Sequence, residues 1–216
     1  MDFSIEIIAA LICLLITLTV YFVPGAPLYL KLFPIYIAYA IVTQEYLFYL
    51  ASHSRTNTLF YNLFSLAEVV YYLFIFHEVI RNRNVKNILV YIAPAYFIAG
   101  ILNIIFQKVA GFNVIIYCLG VFLVVSFCIF YFYELFQLPQ TKKLSQDPAF
   151  WLCTAFLFNY CCTFPLNAFV SFLRNPPRFL VIDLDIIRMI VNIFTYSLFS
   201  IAFLCRFKTN KSILSS

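Results

Sequence analysis

Glu68 stands in the middle of a strongly apolar run, Leu63-Phe64-Ser65-Leu66-Ala67-Glu68-Val69-Val70. A second carboxyl, Glu45, follows Gln44 in another apolar stretch. An ionised side chain at the centre of a lipid-embedded helix costs about 2.5–3.5 kcal/mol on insertion scales, so each such residue calls for a function or a partner. Hydrocarbon favours the neutral, protonated carboxyl. Asn62, Ser65, Asn103, Asn159, Asn167, Asn192 and Thr195 supply hydrogen-bonding groups in similar surroundings. The expected site is a polar pocket around Glu45 and Glu68, with Asn62, Asn159 and Asn192 on its walls. Arg188 is placed to approach Glu45 as an ion-pair partner, and the ligand would be a small molecule or a cation. The competing expectation is interhelical hydrogen bonding that only fixes helix register.

Other chemistries lack their residues. The two histidines, His53 and His77, make no HExxH, so a multi-histidine metal centre is not expected. The seven cysteines form no CxxC, and thiolate metal sites need converging ligands at fixed spacing; they read as small packing residues. The chain has no GxSxG nucleophile elbow and no glycine-rich phosphate loop. Residues 185–205 contain no lysine to carry a retinal Schiff base. No metal, no cofactor and no catalytic residue are expected.

These residues are carried by unusually apolar elements. Of 216 residues, 64% are hydrophobic, 20% aromatic and 11% charged, and the mean hydropathy is +0.96. A soluble domain carries about 25% charged residues, and water cannot solvate a surface this poor in polar groups. A span needs about 20 mostly apolar residues. Seven stretches qualify: 5–23, 31–51, 59–80, 87–106, 112–136, 148–173 and 185–205. The fold class expected is therefore all-α, a polytopic membrane helix bundle forming one domain over 1–216. The start of the second helix is the least defined, because Lys31 and Pro34 fall in its first turn. An acidic flank (Asp2, Glu6) and the absence of a small-residue cleavage site make the first stretch a permanent helix rather than a signal peptide.

Basic residues orient the spans, since Lys and Arg are retained on the cytoplasmic side. With the N-terminus outside, nine fall inside: Lys31, Arg81, Arg83, Lys86, Lys142, Lys143, Arg206, Lys208 and Lys211. Five fall outside: Arg55, Lys108, Arg174, Arg178 and Arg188. The net charge of +5 follows from this bias and from contact with anionic headgroups; no nucleic acid is implied. Arg81, Arg83, Lys86, Lys142 and Lys143 form a cytoplasmic rim, with His77, Glu78 and Glu134 as headgroup-level partners. Tyr71-Tyr72, Tyr131-Phe132-Tyr133 and Phe150-Trp151 read as interfacial anchors. With only four glycines, close packing is expected to rest on Ala, Ser, Cys and interdigitating aromatics.

Leu66-Ala67-Glu68 is followed by Phe130-Tyr131-Phe132-Tyr133-Glu134-Leu135, Pro148-Ala149-Phe150-Trp151 and Ile190-Val191-Asn192-Ile193. Together these resemble a group of uncharacterised seven-transmembrane-helix proteins of Bacteroidota-type bacteria, along most of the chain. The chain departs from that group's Phe-Trp and Gly-Asn pattern at Asn159-Tyr160-Cys161-Cys162, which lacks the glycine. The resemblance implies a bacterial inner-membrane protein associated with signalling, and carries over no catalytic residue.

The function expected is a non-enzymatic sensory or protein-interaction module that passes a signal to a partner protein or to a second copy of itself. The alternative is an ion channel or small-solute transporter, including a membrane-permeabilising oligomer, since acidic rings select cations. A lipid-acting enzyme comes third, without a visible constellation.

Overall fold

A computed structural model describes residues 3–53, 57–106, 113–137, 144–172 and 178–214. The described residues are all-helical. The α-helices are α1 (Phe3–Leu18), α2 (Leu28–Ser52), α3 (Thr58–Val79), α4 (Arg83–Phe106), α5 (Val114–Gln137), α6 (Pro148–Phe172) and α7 (Arg178–Leu214), with short 3-10 turns at Thr19–Phe22 and Leu144–Gln146. Six helices are long and apolar enough to cross a membrane: α1 with its 3-10 extension, and α3 to α7. At 25 residues, α2 measures about 37 Å, which is long enough. Its composition holds it back, because Tyr29, Tyr36, Tyr39, Tyr46, Tyr49, Lys31, Gln44 and Glu45 dilute its apolar character.

Two helix limits differ from the sequence reading. Helix α2 begins at Leu28, before both Lys31 and Pro34, because the Pro27 carbonyl accepts the N–H groups of Leu30 and Lys31. Pro34 sits inside the helix, where it removes one backbone donor without ending it. Helix α7 runs 37 residues instead of the 21 of stretch 185–205. Its described residues begin at Arg178, ahead of the acidic pair Asp183 and Asp185, which therefore does not set its beginning. A falling hydropathy ends a membrane span, but it does not end a helix.

Residue contacts divide the chain into two units, 1–34 with 139–216 and 35–138, the division falling in α2 at Pro34. In the first, α1 and α6 both pack on α7. Ala10, Cys13 and Thr17 on α1, Cys153 and Ala155 on α6, and Ala202 on α7 are essentially fully buried, so small side chains do bring helices close. Phe199 is the aromatic hub, edge-on to Phe33 at 4.9 Å and to Phe156 at 5.7 Å. The Arg206 guanidinium donates to the carbonyl of Gly25 at 2.9 Å, tying α7 to a turn that needs glycine for its φ of +72°.

In the second unit α3 packs on α4 and α5, and glycine makes the approach possible. A methyl group on Gly120 would lie 2.5 Å from the Tyr96 hydroxyl and 2.9 Å from Val69, and one on Gly100 would meet the Leu66 side chain. Asn113 caps α5 by accepting the N–H of Ile116 at 3.3 Å, and its own N–H donates to Asn62 on α3 at 3.1 Å. Helices α2 and α3 meet through aromatic pairs. Tyr46 faces Phe60, Tyr39 faces Phe64 and Tyr36 stacks on Tyr71. Numbers fall along one helix as they rise along the other, so the two run antiparallel.

Candidate functional site

The antiparallel register of α2 and α3 brings the Tyr36 hydroxyl to Glu68, halfway along α3. Tyr72, one helical turn beyond Glu68, lies on the same face. The Tyr36 hydroxyl donates to Glu68 Oε1 at 2.8 Å and the Tyr72 hydroxyl donates to the same oxygen at 2.9 Å. The two phenol oxygens are themselves 2.5 Å apart. Three oxygens thus form a closed triangle with every edge at hydrogen-bonding distance. Tyr72 is fully buried, Glu68 and Tyr36 are half-buried, and the Tyr71 ring covers Tyr36 at a centroid distance of 4.8 Å. The sequence reading placed Tyr71-Tyr72 in an interfacial belt; Tyr72 is instead an interior ligand of the acid.

The other expected pocket residues have separate duties. Asn62 is buried and accepts the Asn113 N–H, so it fixes the start of α5. It also borders a small cleft with Ser65, Gly100, Asn113 and Tyr117, which has room for about one water molecule. Glu45 is exposed on α2. In the first unit the Asn192 amide donates to Glu6 at 2.7 Å. Glu6 was read as a polar flank, yet it is buried, 7% exposed. Arg188 donates to Asn167 at 3.2 Å and to Asp185 at 3.4 Å. Asn159 Oδ1 is buried with no hydrogen-bond partner among the described residues.

At the expected cytoplasmic rim, Arg81 and Arg83 are exposed and Lys86 is half-buried, while Lys142 and Lys143 lie outside the described residues. His77 and Glu78 pair at 3.4 Å. Glu134 accepts the backbone N–H of Arg81 at 2.8 Å, and Asn82 caps α4 through the N–H of Asn84 at 2.9 Å. These acceptors matter because the first turn of α4 carries Arg83 and Lys86 and no acid, the unfavourable sign for a helix N-terminus. Among the described residues no group of three or more His, Cys, Asp or Glu is placed to hold a metal ion.

Sequence reasoning found Glu68 and missed Tyr36, Tyr72 and Glu6. The spacing of Glu68 and Tyr72 is visible in the chain as i and i+4. Tyr36 lies 32 positions from Glu68 and depends on how α2 registers against α3.

Fold and site together define a class: an all-helical protein with six membrane-length apolar helices and a carboxyl–phenol cluster inside one helix pair. No protein-family model, curated protein or solved structure matches the chain.

Proposed function

We propose that this chain is an integral protein of a bacterial inner membrane, crossing it seven times with the N-terminus outside. In this reading it acts as a sensory or protein-interaction module and performs no catalysis. The observation that carries the reading is the Glu68 cluster: an acid at mid-helix of α3, bound by a phenol from a second helix and one from its own. A change of charge or partner at that acid alters a polar contact in an α2–α3 interface rich in aromatic pairs, and so biases the packing of the two helices. Such a bias becomes a signal when two arrangements bind a partner with different affinity.

The test places spin labels on α2 and α3, at the exposed positions Val42 and Leu63, and compares distances in Glu68→Gln with those in the parent chain in liposomes. A shifted or broadened distribution is expected, because the amide cannot reproduce the carboxyl's hydrogen bonding. Identical distributions defeat the sensory reading. Ion flux through the same liposomes that depends on Glu68 would replace it with a channel.

A further inference from the structure

The Tyr36–Glu68–Tyr72 triangle contains a hydrogen-counting problem. Its three edges measure 2.8, 2.9 and 2.5 Å between oxygens. A hydrogen bond at these lengths needs one hydrogen on each edge, and two tyrosines supply only two. When both phenols donate to an ionised Glu68, nothing lies between the phenol oxygens, and two lone pairs face each other. A hydrogen on Glu68 Oε1 removes the conflict. The carboxyl then donates to one phenol, that phenol donates to the other, and the second donates back to Oε1. Each oxygen gives one hydrogen bond and takes one.

We propose that Tyr36, Glu68 and Tyr72 form a proton-binding site within the membrane, a three-oxygen ring completed by one exchangeable proton. The step is simple to balance: a proton from water forms an O–H bond on Oε1, the two phenol hydrogens reorient, and no bond to a heavy atom breaks. A bound metal ion is a poorer fit. Calcium holds its oxygens at about 2.3–2.6 Å and takes six to eight of them, so neighbouring ligands stand further apart than these three. Tyr71 meets the ring through stacking on Tyr36. On α4 the Tyr96 hydroxyl is committed to the Ile116 carbonyl of α5. His77 and Glu78 on α3 follow Tyr72 by about one and a half turns, Glu45 on α2 is about two and a half turns from Tyr36, Arg83 and Lys86 open α4, and Glu134 on α5 accepts the Arg81 N–H past the end of α3.

This inference deepens the sensory reading by naming the proton as its ligand, and it rests on the same cluster. The test is infrared difference spectroscopy of the full chain in liposomes, recorded across a pH titration. A protonated-carboxyl C=O band is expected that disappears stepwise as pH rises and is missing in Glu68→Gln. Tyr36→Phe and Tyr72→Phe keep the carboxyl but open the ring. Each should move the titration midpoint by about one pH unit or more, the scale on which a neighbouring hydrogen bond acts. These two variants also serve if Glu68→Gln fails to elute as a single species. A carboxyl band missing at every pH overturns the proposal, as does one that never changes. The spin-label experiment fails independently: a titrating band with unchanged α2–α3 distances leaves the proton site standing and removes the sensory role.

Discussion

Single oxygens decide the behaviour of the α2–α3 interface. Tyr36 and Tyr39 lie on the same helix and both face α3 through their rings, but only Tyr36 has its hydroxyl on Glu68. Tyr36→Phe is therefore expected to cost about 1 kcal/mol, the net worth of one hydrogen bond, while Tyr39→Phe stays near neutral. Melting of the two variants side by side in detergent separates hydroxyl from ring, and equal effects would deny the hydroxyl its role. Glu68 was legible in the sequence because a charge in an apolar run is conspicuous by composition alone. Tyr72 was equally visible at i+4, yet its type pointed to a membrane interface, and only its burial shows otherwise. Glu6 was hidden for the opposite reason: an acid close to a chain terminus reads as solvated, and its Asn192 partner is 186 positions away.

At the scale of elements, the packing of α3 against α4 and α5 depends on two missing side chains. Gly120→Ala drives a methyl group against both the Tyr96 hydroxyl and Val69. Overpacking of that kind costs about 1–3 kcal/mol, and a lowered melting temperature with loss of the Tyr96–Ile116 hydrogen bond is expected. Gly100→Ala meets only the flexible end of Leu66 and should be the milder of the pair. Reversed severity would mean that α4, rather than the α3–α5 contact, limits stability. Removing the α5 cap with Asn113→Ala should cost about 1 kcal/mol, while the backbone N–H that Asn62 accepts is retained. Hydropathy located every α-helix among the described residues. It missed the extent of α7 and the start of α2, the latter set by the Pro27 carbonyl instead of by a change in apolarity.

For the whole molecule the deciding feature is parity. Seven crossings put the two termini on opposite sides, whereas six put them on the same side, and α2 makes the difference. Its tyrosines lower its hydropathy, but Tyr36, Tyr39 and Tyr46 are turned to α3. Tyr39 and Tyr46 nevertheless remain 46% and 44% exposed, so a seventh crossing by α2 has to be tested through the placement of the termini. Protease-accessible tags at the two ends, probed in sealed vesicles of known orientation, should be cut from opposite faces. Cutting from one face would remove α2 from the set of spans and overturn the orientation derived from Lys and Arg.

The length of α7 has a mechanical side. Its 37 residues make a rod about 55 Å long, while the oily layer is about 30 Å thick. Leaning the rod over until it vanished would take about 57°, beyond the 0–40° seen for spanning helices. Part of it must stand clear of the lipid like a mast, and Ile182–Arg206 is the greasy length. A mast stepped in a fluid deck turns any small rocking at its foot into a sweep at its tip.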